Sequence, residues 1–167
     1  MKKLLFMAPL ALSLALAGCG ETTVEKSNGS SETAAKADAE KEEKFSIGDT
    51  VKVNDVEITV TSAKLRDADQ YIDASNGKVL RLDFTVKNTS DSKVFIDSGE
   101  FNLYQKGESR EMYFGSSGDI PLSGDLNKGK VLKGFIEYDV APAKKYELIY
   151  QPTFSLDNKE ITWIVKP

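Results

Sequence analysis

Two stretches of this chain, Val79–Asn88 and Val131–Val140, alternate apolar and polar side chains, and this alternation limits what the chain can fold into. In the first (VLRLDFTVKN), Leu80, Leu82, Phe84 and Val86 fall on one face, with Arg81, Asp83, Thr85 and Lys87 on the other. The second places Leu132, Ile136, Tyr138 and Val140 inward and Lys133, Glu137 and Asp139 outward. Successive side chains of a strand point to opposite faces, so a strict period of two marks a half-buried antiparallel strand. Gly134 falls in the inward phase, where a glycine marks a bulge or the close approach of a bulky partner. No stretch from Phe45 onward keeps a helical period.

Turn residues divide the rest into further strands. Asn54-Asp55 separates Thr50–Val53 from Val56–Leu65 as a tight hairpin. Phe101–Gln105 and Arg110–Phe114 flank Lys106-Gly107-Glu108-Ser109, a second hairpin, and Tyr146–Gln151 and Glu160–Val165 are the last two strands. The long, unequal connections Arg66–Gly77 and Gly115–Gly129 suit Greek-key loops that cross between sheets. The expected fold is therefore all-β, an immunoglobulin-like antiparallel β-sandwich of about seven to nine strands. Phe84, Ile136, Tyr138, Leu148 and Trp163 are expected at its centre.

The N-terminus follows different rules. Lys2 and Lys3 precede an apolar run, Leu4–Ala17, broken by Pro9 and ending at Cys19, the sole cysteine. As a helix the run rises only about 21 Å, against a hydrocarbon core of about 30 Å, and its flanks suit a secretory signal. Leu16-Ala17-Gly18-Cys19 resembles the lipobox of bacterial lipoproteins. The resemblance implies cleavage before Cys19 and a diacylglyceryl group on its sulfur. It places the mature chain on the outer face of a cell membrane. Gly20, in place of Asp, implies no inner-membrane retention mark. A buried core helix with a chance cysteine and an ordinary secretory signal are the rival readings.

Three segments follow: residues 1–18 as signal peptide, 19–44 as a lipidated, disordered tether, and 45–167 as the sandwich domain. Gly20–Lys44 holds one Val and no aromatic residue, too little apolar surface to offset chain entropy. As a flexible coil it spans about 25–30 Å. Loss of Lys2 and Lys3 takes the net charge from −4 to −6. This acidic balance argues against nucleic acid as a partner.

Within the domain, Ile47-Gly48-Asp49-Thr50-Val51, Val56–Val60, Leu82–Asn88 leading into Asn-Thr-Ser, Phe101-Asn102-Leu103, Leu126–Gly129 with Gly134 five residues on, and Tyr146-Glu147-Leu148 occur in a characteristic order. In these, residues 45–166 resemble a family of uncharacterised bacterial lipoprotein domains with a telokin-like, immunoglobulin-like fold. The resemblance implies that fold and carries over no catalytic residue.

The chain has no histidine. This removes Ser-His-Asp and Cys-His catalysis and imidazole metal sites, and committing Cys19 to lipid removes thiolate zinc sites and disulfides. Asp67, Asp69 and Asp73 in RDADQYID are the only candidate metal ligands, since hard cations take several carboxylate oxygens from one loop. They miss the calcium-loop pattern, because Ile72 stands where a glycine belongs and Lys78 where a glutamate belongs. A solvated loop, neutralised by Lys64, Arg66 and Lys78, is the expectation. Glu137 and Asp139 are the carboxylate pair a hydrolase would need, but they are expected on a solvent face without a cleft. Gly115-Ser116-Ser117-Gly118 lacks the lysine and helix of a phosphate loop and reads as a flexible connection. Tyr71, Tyr104, Tyr113, Phe114 and Phe135 are candidates for exposed aromatic contacts.

The function expected is a lipid-anchored, extracytoplasmic binding or adaptor lipoprotein without catalysis or cofactor. It would bind the membrane through Cys19 and a protein partner at the cell surface. The alternatives are a solute- or ion-binding lipoprotein using Asp67, Asp69 and Asp73, and an envelope hydrolase.

Overall fold

The computed structural model describes residues 24–26, 43–115, 119–153 and 160–167. The expected signal peptide, Cys19 and most of the expected tether lie outside the described residues, as do 116–118 of the glycine-serine connection. The strands are β1 (Val24–Lys26), β2 (Lys44–Ser46), β3 (Thr50–Val53), β4 (Val56–Arg66), β5 (Lys78–Asn88), β6 (Val94–Asp97), β7 (Phe101–Gln105), β8 (Glu108–Arg110), β9 (Ser123–Leu126), β10 (Val131–Val140), β11 (Tyr146–Tyr150) and β12 (Ile161–Val165). They form one sheet in the order β1-β3-β4-β5-β10, a second in the order β2-β12-β11-β7-β8, and a β6-β9 ribbon. The two larger sheets share one core cluster, which includes Phe84, Ile136, Tyr138, Leu148 and Trp163. This is the expected β-sandwich with the expected centre.

Several details differ from expectation. The described strands exceed seven to nine because short edge pieces, β1, β2 and β8, pair at the sheet margins. One of these pairs, β2 with β12, is parallel. The loop from Arg66 to Gly77 does not cross between sheets, because β4 and β5 are antiparallel neighbours and it closes a long hairpin between them. Val24–Lys26, inside the stretch expected to be tether, pairs with Val53–Val51 and covers the edge of β3. An unpaired edge presents free N–H and C=O groups, which any short extended segment can satisfy.

The second hairpin turns more tightly than expected. Lys106 and Gly107 have φ of 55° and 83°, and β8 begins at Glu108. Positive φ at both central residues gives the turn the twist of its strands. Gly134 shows the close approach its phase suggested. A Cβ there would lie 2.8 Å from the Leu122 Cα, and β10 runs past it without a bulge.

The bulge lies in β4 instead, where the register shifts between Val60 and Ser62. Before it Val56, Ile58 and Val60 are buried, and after it Ala63 and Leu65 pack against the core. The extra residue swaps the faces of everything downstream. Arg66, which unbroken alternation would aim into the core, thus stands on the outer face of the sheet.

Asn88, the last residue of β5, is fully buried. Its amide nitrogen donates to the carbonyls of Ser92 and Leu126, and its side-chain oxygen accepts from the Ser90 N–H and hydroxyl. The Asn-Thr-Ser triplet is a turn closed by one satisfied amide.

Trp163 is fully buried and its ring centre lies 6.1 Å from that of Phe45. Trp163→Ala removes its transfer energy and leaves a cavity, at a cost of about 3–5 kcal/mol. Urea unfolding should show this as a lower midpoint at unchanged slope; an unchanged midpoint would place the ring outside the core.

Burial raises the pKa of Tyr138, and burial followed by the charge of Glu100 raises that of Tyr150. Free tyrosine ionises near pH ~10, so the unfolded chain loses these protons before the folded one does. The stability tied to them is complete below about pH 10 and drains as pH rises through the raised folded values. Denaturation followed from neutral to strongly alkaline pH should therefore show stability falling only above that point. Phenolate absorbance in the native protein should lag behind that of the unfolded chain.

Candidate functional site

The outer face of the first sheet carries two arginines, one from each side of the β4–β5 pairing. Arg66 Nε donates to Glu137 Oε1 at 2.8 Å and its Nη2 to Glu137 Oε2 at 2.7 Å, a fork on a carboxylate whose side chain is 1% exposed. Arg66 Nη1 donates to Asp69 Oδ1 at 2.9 Å and to the Asp67 carbonyl at 2.7 Å. The hydrogen bond to Glu137 is the main reason the guanidinium titrates above its ordinary range. Arg81 Nε donates to Asp83 Oδ1 at 2.9 Å and its Nη1 to Asp119 Oδ2 at 2.6 Å, while its guanidinium lies 4.2 Å above the Phe135 ring. Burial lowers the pKa of Arg81, and the bonds to Asp119 and Asp83 more than offset it.

Tyr113 ties two loops to this face. Its backbone N–H donates to the Glu137 carbonyl, which docks it on the outer edge of β10. Its hydroxyl accepts from the Asp69 N–H at 2.8 Å and donates to the Ile72 carbonyl at 2.6 Å, and Arg66 lies 5.3 Å from its ring centre. The β4–β5 loop and the segment after β8 are thereby clamped together. Each carries apolar side chains into solvent: Tyr71 is 88% exposed, Phe114 78% and Ile120 70%. Between Phe114, Pro121, Phe135 and Glu137 lies a pocket of about 90 Å³. Ligand pockets usually enclose roughly 300–1,000 Å³, so this one has room for a few waters.

The candidates from the sequence fall out as follows. Asp67 accepts from Lys78 Nζ at 2.5 Å, and that hydrogen bond and charge lower its pKa. Asp69 is bound by Arg66, and Asp73 is exposed. Among the described residues no group of three acids converges on a point where a metal would sit. Glu137 is not on a solvent face, because the segment after β8 covers that side of β10 and Arg66 supplies the counter-charge. Asp139 Oδ1 accepts the Asn76 N–H, so the nominated hydrolase pair is divided between two structural tasks. Of the aromatics, Tyr71 and Phe114 are exposed, Tyr104 is half-buried, and Tyr113 and Phe135 are buried. The fork of Arg66 on Glu137, the role of Arg81 and the burial of Glu137 were missed. Two signals marked them: the alternation slip between Val60 and Ala63, and Phe135 in the outward phase of β10.

Fold and face together define a β-sandwich domain whose buried charges are paired within the domain. The chain belongs to the family described as domain of unknown function DUF4352, whose model matches residues 45–161. It is 30% identical over 147 residues to the uncharacterised lipoprotein YcdA of Bacillus subtilis, covering 80% of this chain and 39% of that protein. The chain thus spans about two fifths of that relative's length. The crystal structure of YcdA superposes with a TM-score of 0.59 at 21% identity, covering 77% of this chain and 39% of that one. The yjhA protein of B. subtilis superposes with a TM-score of 0.60 at 22% identity, covering 73% and 99%.

Two predictions follow from the clamp and the paired acids. Arg66→Met leaves the Glu137 carboxylate buried without its partner, a loss of about 3–5 kcal/mol for a fully buried pair. With 27% of the Arg66 side chain exposed, the cost should fall at the low end of that range. Glu137→Leu added to it should recover part of the loss, and a single mutant of wild-type stability would contradict the pairing. Separately, the melting temperature in millimolar Ca²⁺ should match that in chelator. A site filled to about 100 times its dissociation constant would add about 2.7 kcal/mol, and a rise of several degrees lost in Asp67→Asn/Asp69→Asn would reveal one.

Proposed function

We propose that the chain is a lipid-anchored, extracytoplasmic binding or adaptor protein without catalytic activity. It is held at a membrane by acyl chains on Cys19, and a protein partner docks on Tyr71, Phe114 and Ile120. The observation that carries the reading is the exposure of these apolar side chains beside the Tyr113 contacts that join the two segments. Aromatic side chains are frequent anchors of protein contacts, and two of these three residues are aromatic. The lipobox supports the anchor, and a lipoprotein relative in the same family accords with it. The ion-binding alternative is weaker because Asp67 and Asp69 already face bases. The hydrolase alternative is weaker because Glu137 is held by Arg66.

A photo-crosslinking side chain at Phe114 or Tyr71 on intact cells should yield the same adduct, and one at Lys87 should not. Adducts alike at all three positions, or none at Phe114 and Tyr71, would contradict the docking surface. Cys19→Ala should abolish fatty-acid labelling and release the protein from the membrane fraction. A wild-type chain without label would contradict the anchor while leaving the docking surface standing.

A further inference from the structure

The chain is acidic, yet its bases are unevenly distributed. Every arginine is engaged by carboxylates: Arg66 by Glu137 and Asp69, Arg81 by Asp83 and Asp119, Arg110 by Glu108. The bases without a carboxylate partner among the described residues include four lysines, Lys106, Lys144, Lys145 and Lys166, and the topology gathers these at one end of the second sheet. In the β7-β11-β12 register Tyr104 faces Glu147 and Tyr146 faces Val165. One step beyond these strand ends, Lys106, Lys145 and Lys166 fall side by side. Lys106, Lys144 and Lys145 border one groove, and Lys166 follows the end of β12, the neighbour of β11.

The backbone under this row is held in place. The Ala141 carbonyl accepts from Gln105 Nε2 at 2.8 Å and from the Tyr146 hydroxyl at 2.7 Å, and that hydroxyl accepts the Ala143 N–H. Lys106 occupies the left-handed conformation, φ 55°, at a turn position where asparagine or glycine is the usual residue. Lys106, Lys144, Lys145, Tyr104 and Glu147 border a groove of about 280 Å³, and Glu147 is itself paired with Lys44.

We propose that this lysine row is a binding site for a linear polyanion carrying repeated phosphate groups. Lysine is a flexible point charge, and a row of them can follow the successive charges of a polyphosphate without the fixed geometry of a bidentate fork. In this chain the arginines are occupied and the lysines of the row are open. The points where the chain runs back toward its N-terminus, Glu43 before β2 and Val24 at the start of β1, lie at the other end of the strands. The row therefore faces away from an N-terminal anchor, which favours a polymer in the envelope over the lipid surface; this orientation alone rests on the anchor proposed above.

The test uses the full chain carrying Cys19→Ala, so that acyl groups play no part. Titrated with long-chain inorganic polyphosphate, it should bind with an affinity that falls steeply as salt rises. Lys106→Gln/Lys145→Gln should weaken binding roughly tenfold or more, and Lys64→Gln/Lys130→Gln, the same charge change elsewhere, should leave it nearly unchanged. Thermal melts of both variants should match the parent. No binding by the parent, or equal loss in both variants, would overturn the site. Tighter binding to phosphatidylglycerol vesicles than to polyphosphate through the same lysines would overturn the polymer in favour of a lipid surface.

Discussion

The outer face of this sandwich depends on the fork between Arg66 and Glu137. A carboxylate as buried as Glu137 is tolerated only with a counter-charge and filled hydrogen bonds. Arg66 supplies both and then reaches on to Asp69 and the Asp67 carbonyl. One guanidinium thereby joins β10, the end of β4 and the loop after it. Arg66 reaches this position only because the extra residue at Thr61 turns the second half of β4 over. Removal of that bulge would send Arg66 into an apolar core and leave Glu137 alone.

Beneath that face, the sandwich is held by apolar packing between sheets. The lone cysteine precedes the domain, so no disulfide limits the unfolded chain. Phe84 and Tyr150 both contact Phe101 ring to ring, linking the sheets through the centre. Near this centre the Tyr138 hydroxyl donates to the Phe101 carbonyl, whereas the buried Trp163 Nε1 has no partner among the described residues.

Much of the fold was legible in the sequence because period-two alternation reports directly which side chains are buried. It located β5, β10, β11 and β12 within a residue or two, and it placed Trp163 and Leu148 in the core. Pairing partners were less legible. The Arg66–Gly77 connection looks like a crossover, and only the register reveals a hairpin, since loop length does not encode which strands pair. Strands as short as β1 and β2 have too few residues for any period. The outer face was legible only in part. Two of the bases flanking the Asp-rich loop do pair with it, Arg66 with Asp69 and Lys78 with Asp67, because they are near neighbours in sequence or across the hairpin. The Glu137–Arg66 pair joins residues far apart in sequence, and no local pattern announces such a contact.

Two surface features stand out on the domain: exposed apolar side chains on two segments joined through Tyr113, and lysines at one end of the second sheet. The central claim is that Tyr113 and Arg66 hold those loops rigid, and amide hydrogen exchange at Asp69 tests it most directly. In the native protein the Asp69 N–H should be protected well beyond an unstructured loop, and Tyr113→Phe should abolish that protection while β5 and β10 amides stay protected. An Asp69 amide that exchanges at the unstructured rate in the native protein would contradict the account.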